Sequence, residues 1–251
     1  EDGIRDYKVT GVQTCALPIC DNEGIWTPVC RLNWVRKGGF YGSVGMDHLP
    51  KRPDHYDPPL CWLPFAIDNS AGGQVWVESK RWGPFENQMF HLSYGKCGLF
   101  QVLHEEKGKI AQGGVVKWPL KFESGICRGR FNPADGQLYV SGLKGWQTTA
   151  AKDGALQRVR YTGKPVVAPL EMRVRKGRIE LEFTGALDAA SARDLENFDI
   201  QQWNYKWSEK YGSALYSVDD PEKAIGKKGR SEEHTSELQS PCNLVCRLLL
   251  E

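Results

Sequence analysis

The chain has 251 residues, 40% apolar and 25% charged, with eight cysteines and a formal net charge of +2. That composition excludes a disordered, collagen-like or low-complexity polypeptide. No apolar run approaches the roughly 20 residues of a membrane-spanning helix, and the near balance of charge argues against a nucleic-acid binder. Among the residues, 27 Gly, 14 Pro and 9 Trp point to a turn-rich, β-rich architecture.

Both ends read as translated sequencing adapter, to be set aside before the fold is considered. Glu1 to Asp6 can be encoded by GAA GAC GGC ATA CGA GAT, and Val9 to Ile19 by the continuation of the same adapter strand. Arg230 to Ser240 and Leu244 to Glu251 can be encoded by the opposite strand, and codons for Tyr7-Lys8 and Pro241 to Asn243 can be chosen that carry one shared barcode. Residues 1–20 and 230–251 are therefore expected to form no domain and to pack against nothing specific. Removing the first 20 and last 22 residues leaves 209, with 29 Lys+Arg, 24 Asp+Glu and a net charge of +5. The remaining cysteines are Cys30, Cys61, Cys97 and Cys127. Their irregular spacing supports neither a zinc ribbon nor haem attachment. Cys97 and Cys127 read as buried thiols, and no disulfide pair is assigned.

From Asp21 to Gly163 the chain reads as strand after strand. Gln74 to Val77 follows an expected Gly72-Gly73 turn. Met89 to Tyr94 and Leu99 to Leu103 flank the Gly95 to Gly98 turn, which is a hairpin pattern. Gly113 to Trp118 is a short apolar run. Phe131-Asn132-Pro133 turns at Ala134 to Gly136 into Gln137 to Val140, and Leu156 to Tyr161 closes the group. Gly72 to Val77 and Asp135 to Val140 share a turn-Gln-strand pattern 63 residues apart. That echo favours a propeller with inserted loops over a plain sandwich.

Lys164 to Pro169 reads as a linker. Met172, Val174, Ile179, Leu181 and Phe183 alternate around a Lys176-Gly177 turn. Asp188 is expected to cap a short helical turn through Ala189 to Leu195, before Phe198, Ile200 and Trp203 resume the apolar pattern. The expectation is an all-β chain: a partial β-propeller, its last blades, over 21–163, a linker over 164–169, and a truncated β-sandwich over 170–229.

A family resemblance rests on several strings: Gly38 to Gly42, Asp57 to Pro64, Ile67 to Gln74, His91 to Gly95, Arg128 to Pro133, Gly142 to Thr148, Arg158 to Gly163 and Gln202 to Tyr205. Together they resemble the exported propeller proteins of planctomycete-type bacteria. Those are similar to glucose/sorbosone dehydrogenases, quinoproteins that bind pyrroloquinoline quinone (PQQ) and are often fused to cytochrome c. The resemblance implies residues 21–163 as the last part of a six-bladed propeller in a periplasmic or exported protein. It implies a PQQ-dependent sugar or alcohol dehydrogenase as parent, with PQQ and Ca²⁺ there, carbohydrate as partner, and an electron-accepting cytochrome domain whose haem lies outside this sequence. The present residues are expected to be inactive alone and to hold no cofactor, with the catalytic group unknown. The alternative is a non-catalytic propeller that binds carbohydrate or protein.

Several residues are candidates for chemistry. Arg128 and Arg130 alternate with Gly129, so both point to one side of a strand and suit quinone carboxylates; the competing role is a structural arginine pair. Asp68 and Asn69 offer oxygen ligands to Ca²⁺, against an Asx turn that satisfies its own backbone. Asp21-Asn22-Glu23-Gly24 carries the same two readings. Trp146, in a loop, suits stacking on a sugar or quinone ring, against a packing role between blades. His91 shares a strand face with Met89 and Ser93 and shows no partner in the sequence, so local packing is expected. His48, His55 and His104 are expected at the surface.

Overall fold

The structure is a computed structural model that describes residues 16–44, 51, 53–108, 110–226 and 243–248. Strand makes up 46% of the chain and helix 5%, so the fold is all-β, built from several small antiparallel sheets. The central sheet is a four-stranded meander of β4 (Ala71–Trp76), β5 (Met89–Ser93), β6 (Gly98–Lys107) and β7 (Ile110–Lys117). The hairpin between β5 and β6 runs in register from Met89↔Val102 to Ser93↔Gly98. All of β5 and the first six residues of β6 are buried, because alternate side chains feed two separate cores. Phe90, Leu92 and Leu99 enter one with Trp82, Phe85 and Ile126, whereas Met89 and Val102 enter the other with Leu32, Trp34 and Leu63.

A three-stranded sheet flanks the meander on each side. One orders β1 (Ala16–Asp21), β2 (Cys30–Arg36) and β3 (Cys61–Leu63). The other orders β10 (Gly154–Val159), β9 (Leu138–Leu143) and β8 (Gly125–Phe131). β4 lies against both β1 and β8, so the three sheets fan about neighbouring strands as partial propeller blades. Gly72 and Gly73 are not a turn: both lie inside β4, next to a register irregularity at Ala71/Gly73. A Cβ on Gly72 would fall 2.2 Å from the Ile126 carbonyl oxygen, so this glycine is needed where β4 and β8 approach closely. The sequence echo therefore joins unlike positions, β4 opening its sheet and β9 lying in the middle of its own.

The C-terminal region is a set of two-stranded ladders. β11 (Pro169–Arg175) and β12 (Arg178–Phe183) form the expected hairpin, its Gly177 in the left-handed region at φ 73°. β13 (Phe198–Trp203) pairs with β16 (Asn243–Leu248), and β14 (Leu215–Tyr216) with β15 (Ala224–Gly226). Asp188 accepts from the Ser191 N–H and hydroxyl, but it caps only an isolated turn; the short 3-10 segment is Leu195–Asn197, capped by Asp194. The change at 164–169 marks a new strand pattern without separating the packing. Gln101 Nε2 donates to the Pro169 carbonyl at 2.9 Å, Arg175 pairs with Glu105, and Trp207 packs on Trp26 of the first sheet.

The terminal segments depart from expectation where they are described. Ala16–Asp21 pairs with β2 from Arg36 to Arg31, and Asn243–Leu248 pairs with all of β13. An open strand edge presents unpaired N–H and C=O groups, and any extended segment can satisfy them whatever its sequence. Consistent with backbone-led pairing, Leu17 and Ile19 stay exposed while Cys20 reaches a core. Residues 1–15, 227–242 and His48 lie outside the described residues.

Candidate functional site

The loop between β3 and β4 carries Asp68, Asn69 and Ser70, which diverge. The Asp68 side chain turns inward and is fully buried with His91 and Ser93 of β5. His91 Nε2 lies 2.7 Å from Asp68 Oδ2, and the Ser93 hydroxyl donates to Asp68 Oδ1 at 2.7 Å. The Ser70 N–H donates to the same oxygen at 3.1 Å, closing an Asx turn. His91 Nδ1 faces the Gln74 amide at 3.2 Å, and this pattern assigns the proton to Nε2. The carboxylate is thus the hub, with the imidazole and the hydroxyl as its donors. A nucleophilic triad needs the imidazole between the other two, so the cluster does not have that geometry.

Asn69 points the other way. Its Nδ2 donates to the Gln147 carbonyl at 3.1 Å. Asp68 and Asn69 therefore do not converge on one point, and both Asp68 oxygens are already engaged, which leaves the pair unsuited to Ca²⁺. Among the described residues no group of three His, Cys, Asp or Glu side chains is placed to hold a metal ion. Asn22 resolves likewise toward its structural role: its Oδ1 accepts from the Ala71 N–H at 2.8 Å.

Asn69 and Trp146 do meet, in a cleft of about 360 Å³ lined by Asn22, Glu23, Asn69, Ser70, Trp146, Gln147 and Tyr211. Trp146 is 83% exposed and Tyr211 68%, so neither ring is a core residue. Gln147 holds a left-handed backbone at φ 56°, a conformation that costs energy outside glycine. Sequence reasoning reached Trp146, Asn69, Asn22 and Glu23 singly. It missed Tyr211, which no local signal marks, and it missed the partners of His91.

Arg128 and Arg130 project from one side of β8 and are exposed, with Gly129 buried between them. Both donate through Nη1 to backbone carbonyls: Arg128 to Cys127 and Gly72, Arg130 to Gly129. No carboxylate among the described residues pairs with either. They lie apart from the residues that line the cleft, though Arg128 reaches Gly72 on the strand that follows Ser70.

The described cysteines Cys20, Cys30, Cys61, Cys97 and Cys127 are all free thiols. Burial pushes Cys30 and Cys61 up to about 12, which keeps them protonated and unreactive near neutral pH. Cys97 is buried as expected, whereas Cys127 is only half-buried. His55 is exposed, whereas His104 is half-buried: it stacks on Trp34 at 5.0 Å and meets Trp76 edge-on. That burial lowers its basicity, with Glu106 partly offsetting the effect.

No family model matches the chain, and neither the curated proteins nor the solved structures contain a detectable relative. The resemblance to quinoprotein-like propellers accordingly rests on the sequence strings alone.

Proposed function

We propose that the chain is the binding part of a carbohydrate-recognising propeller protein, with a neutral sugar taken in the Trp146 cleft. The observation that carries this reading is the cleft itself: two exposed aromatic rings beside three amide side chains, a hydroxyl and a carboxylate. Aromatic faces suit the apolar side of a pyranose, and amides suit its hydroxyls. Among the described residues no lysine or arginine lines the cleft, which favours a neutral sugar over an acidic one. Titration calorimetry against a panel of neutral oligosaccharides tests it. Binding that weakens about tenfold in Trp146→Ala, the loss of one aromatic contact, is expected. Absence of binding to every sugar, or unchanged binding in that variant, overturns it.

A second reading follows from the arginine pair. Arg128 and Arg130 present guanidinium groups with no carboxylate partner among the described residues, a chemistry that fits the carboxylates of PQQ. In a quinoprotein-like dehydrogenase the bound quinone would accept the electrons of the oxidised sugar or alcohol, and these two residues would anchor it. The general base would have to come from elsewhere, because both His91 ring nitrogens are engaged inside the protein. The chain supplied with PQQ and Ca²⁺ is expected to give no dye-linked sugar oxidation. Turnover that disappears in Arg128→Ala would make the chain itself the enzyme.

A further inference from the structure

The buried Asp68 cluster lies beneath the cleft, and its connections run toward the Trp146 loop. On one side His91 and Ser93 hold the Asp68 carboxylate from β5, and the Lys96 N–H in turn donates to Ser93 Oγ at 2.9 Å. On the other side Asp68 fixes the N–H of Ser70, a residue of the cleft. The Ser70 carbonyl accepts from the Gly95 N–H at 3.0 Å, and the Gly95 carbonyl accepts from the Thr149 N–H at 2.9 Å. Between them Asn69 grips the carbonyl of Gln147, the residue with the left-handed backbone. Two paths thus lead from the buried imidazole to both ends of the segment 147–149: one of hydrogen bonds through Ser70 and Gly95, the other through the Asp68–Asn69 peptide link and the Asn69 amide.

We infer that His91 is a positioning residue: through Asp68 and Asn69 it holds the Trp146 loop in the shape that forms the cleft. The physical reason is the cost of freezing a loop. Each ordered residue loses backbone entropy, and a binding loop without supports pays that loss when ligand arrives. A fully buried carboxylate with three donors is rigid, because releasing any donor leaves a desolvated group unpaired. The rigidity passes to Asn69, the next residue, and from it to Gln147. The use of this device for sugar binding rests on the cleft reading above; the mechanical link does not.

Amide hydrogen exchange on the whole chain, without ligand, tests the link. In His91→Leu, exchange at residues 69–71 and at 146–149 should quicken by about tenfold or more, as expected when one buried hydrogen bond is lost. Exchange in β5 and β6 outside the substituted position should keep its order of protection. His91→Gln, whose amide can donate to Asp68, should restore both segments. Asn69→Ala should free 146–149 alone and leave 70–71 protected, and it keeps the test open if His91→Leu does not fold. Quickening confined to 69–71, or an unchanged Trp146 loop in Asn69→Ala, overturns the inference. Failure of every sugar to bind, with these exchange patterns intact, would overturn the carbohydrate reading and leave the positioning role standing.

Discussion

The meander β4–β7 and the C-terminal ladders β11–β15 are both antiparallel and both read from alternating sequence, yet they are held by different means. In the meander, β5 is buried throughout and the sheet serves a core on each face. In the hairpin β11–β12 most residues are half-buried or exposed, and Phe198 and Ile200 of β13 are exposed. The meander is stabilised by apolar burial. The hairpin is attached to it by Leu170, which packs against one core, and by polar contacts, chiefly Gln101 to Pro169 and Arg175 to Glu105. Strand pattern is therefore a poor guide to local stability, which depends on how many faces of a strand find partners.

The comparison is most strongly tested by Phe90→Ala. This side chain packs among Trp82 and Trp118, and its loss should cost about 3–5 kcal/mol in urea unfolding. Loss below about 1 kcal/mol would remove the contrast between the two regions. Asp68→Asn comes next. It removes the buried charge that His91 and Ser93 serve, and a cost of about 2 kcal/mol is expected. A neutral result in the same unfolding measurement would mean that the cluster is unimportant to the fold.

Gln101→Ala acts on the joint between the regions. Its side chain is fully buried and bonds both Pro169 and Gln88, so a cost of about 1 kcal/mol is expected. Exchange in 169–183 should quicken more than exchange in β5. Equal quickening would show one cooperative unit in place of two.

The smallest effect is a pH dependence from His104. Burial holds its folded-state pKa below the ordinary value of 6.5. The unfolded chain therefore binds a proton more readily, and stability falls as pH drops below about 6.5. Above that pH both states are neutral and the contribution is flat. His104→Phe should flatten the decline between about pH 7 and 5, as seen in thermal unfolding. An unchanged slope would assign the decline to carboxylates.

Hairpins were legible because turn chemistry is local. Gly95 to Gly98, Ala134 to Gly136 and Lys176-Gly177 all turn where their residues predict. Gly72-Gly73 was misread because a glycine demanded by close approach looks the same as a glycine demanded by a turn, and the approaching carbonyl belongs to Ile126. His104 was misread because its charged sequence neighbours conceal the two tryptophans that cover it. Asp68 and His91 were both noticed, but their pairing spans 23 residues and no spacing rule predicts it.

The sequence by itself determined that this chain would be an all-β array of short antiparallel strands, because alternation and turn residues act within a few residues of one another. It also marked Trp146, Asn69, Arg128 and Arg130 as side chains worth following. Only the tertiary structure decided which of them share a site. Asp68 went inward and Asn69 outward, Tyr211 came to line the same cleft as Trp146, and the arginines were left on a separate strand face. Those outcomes depend on which sheet lies against which, a matter of burial between distant segments that no local pattern encodes.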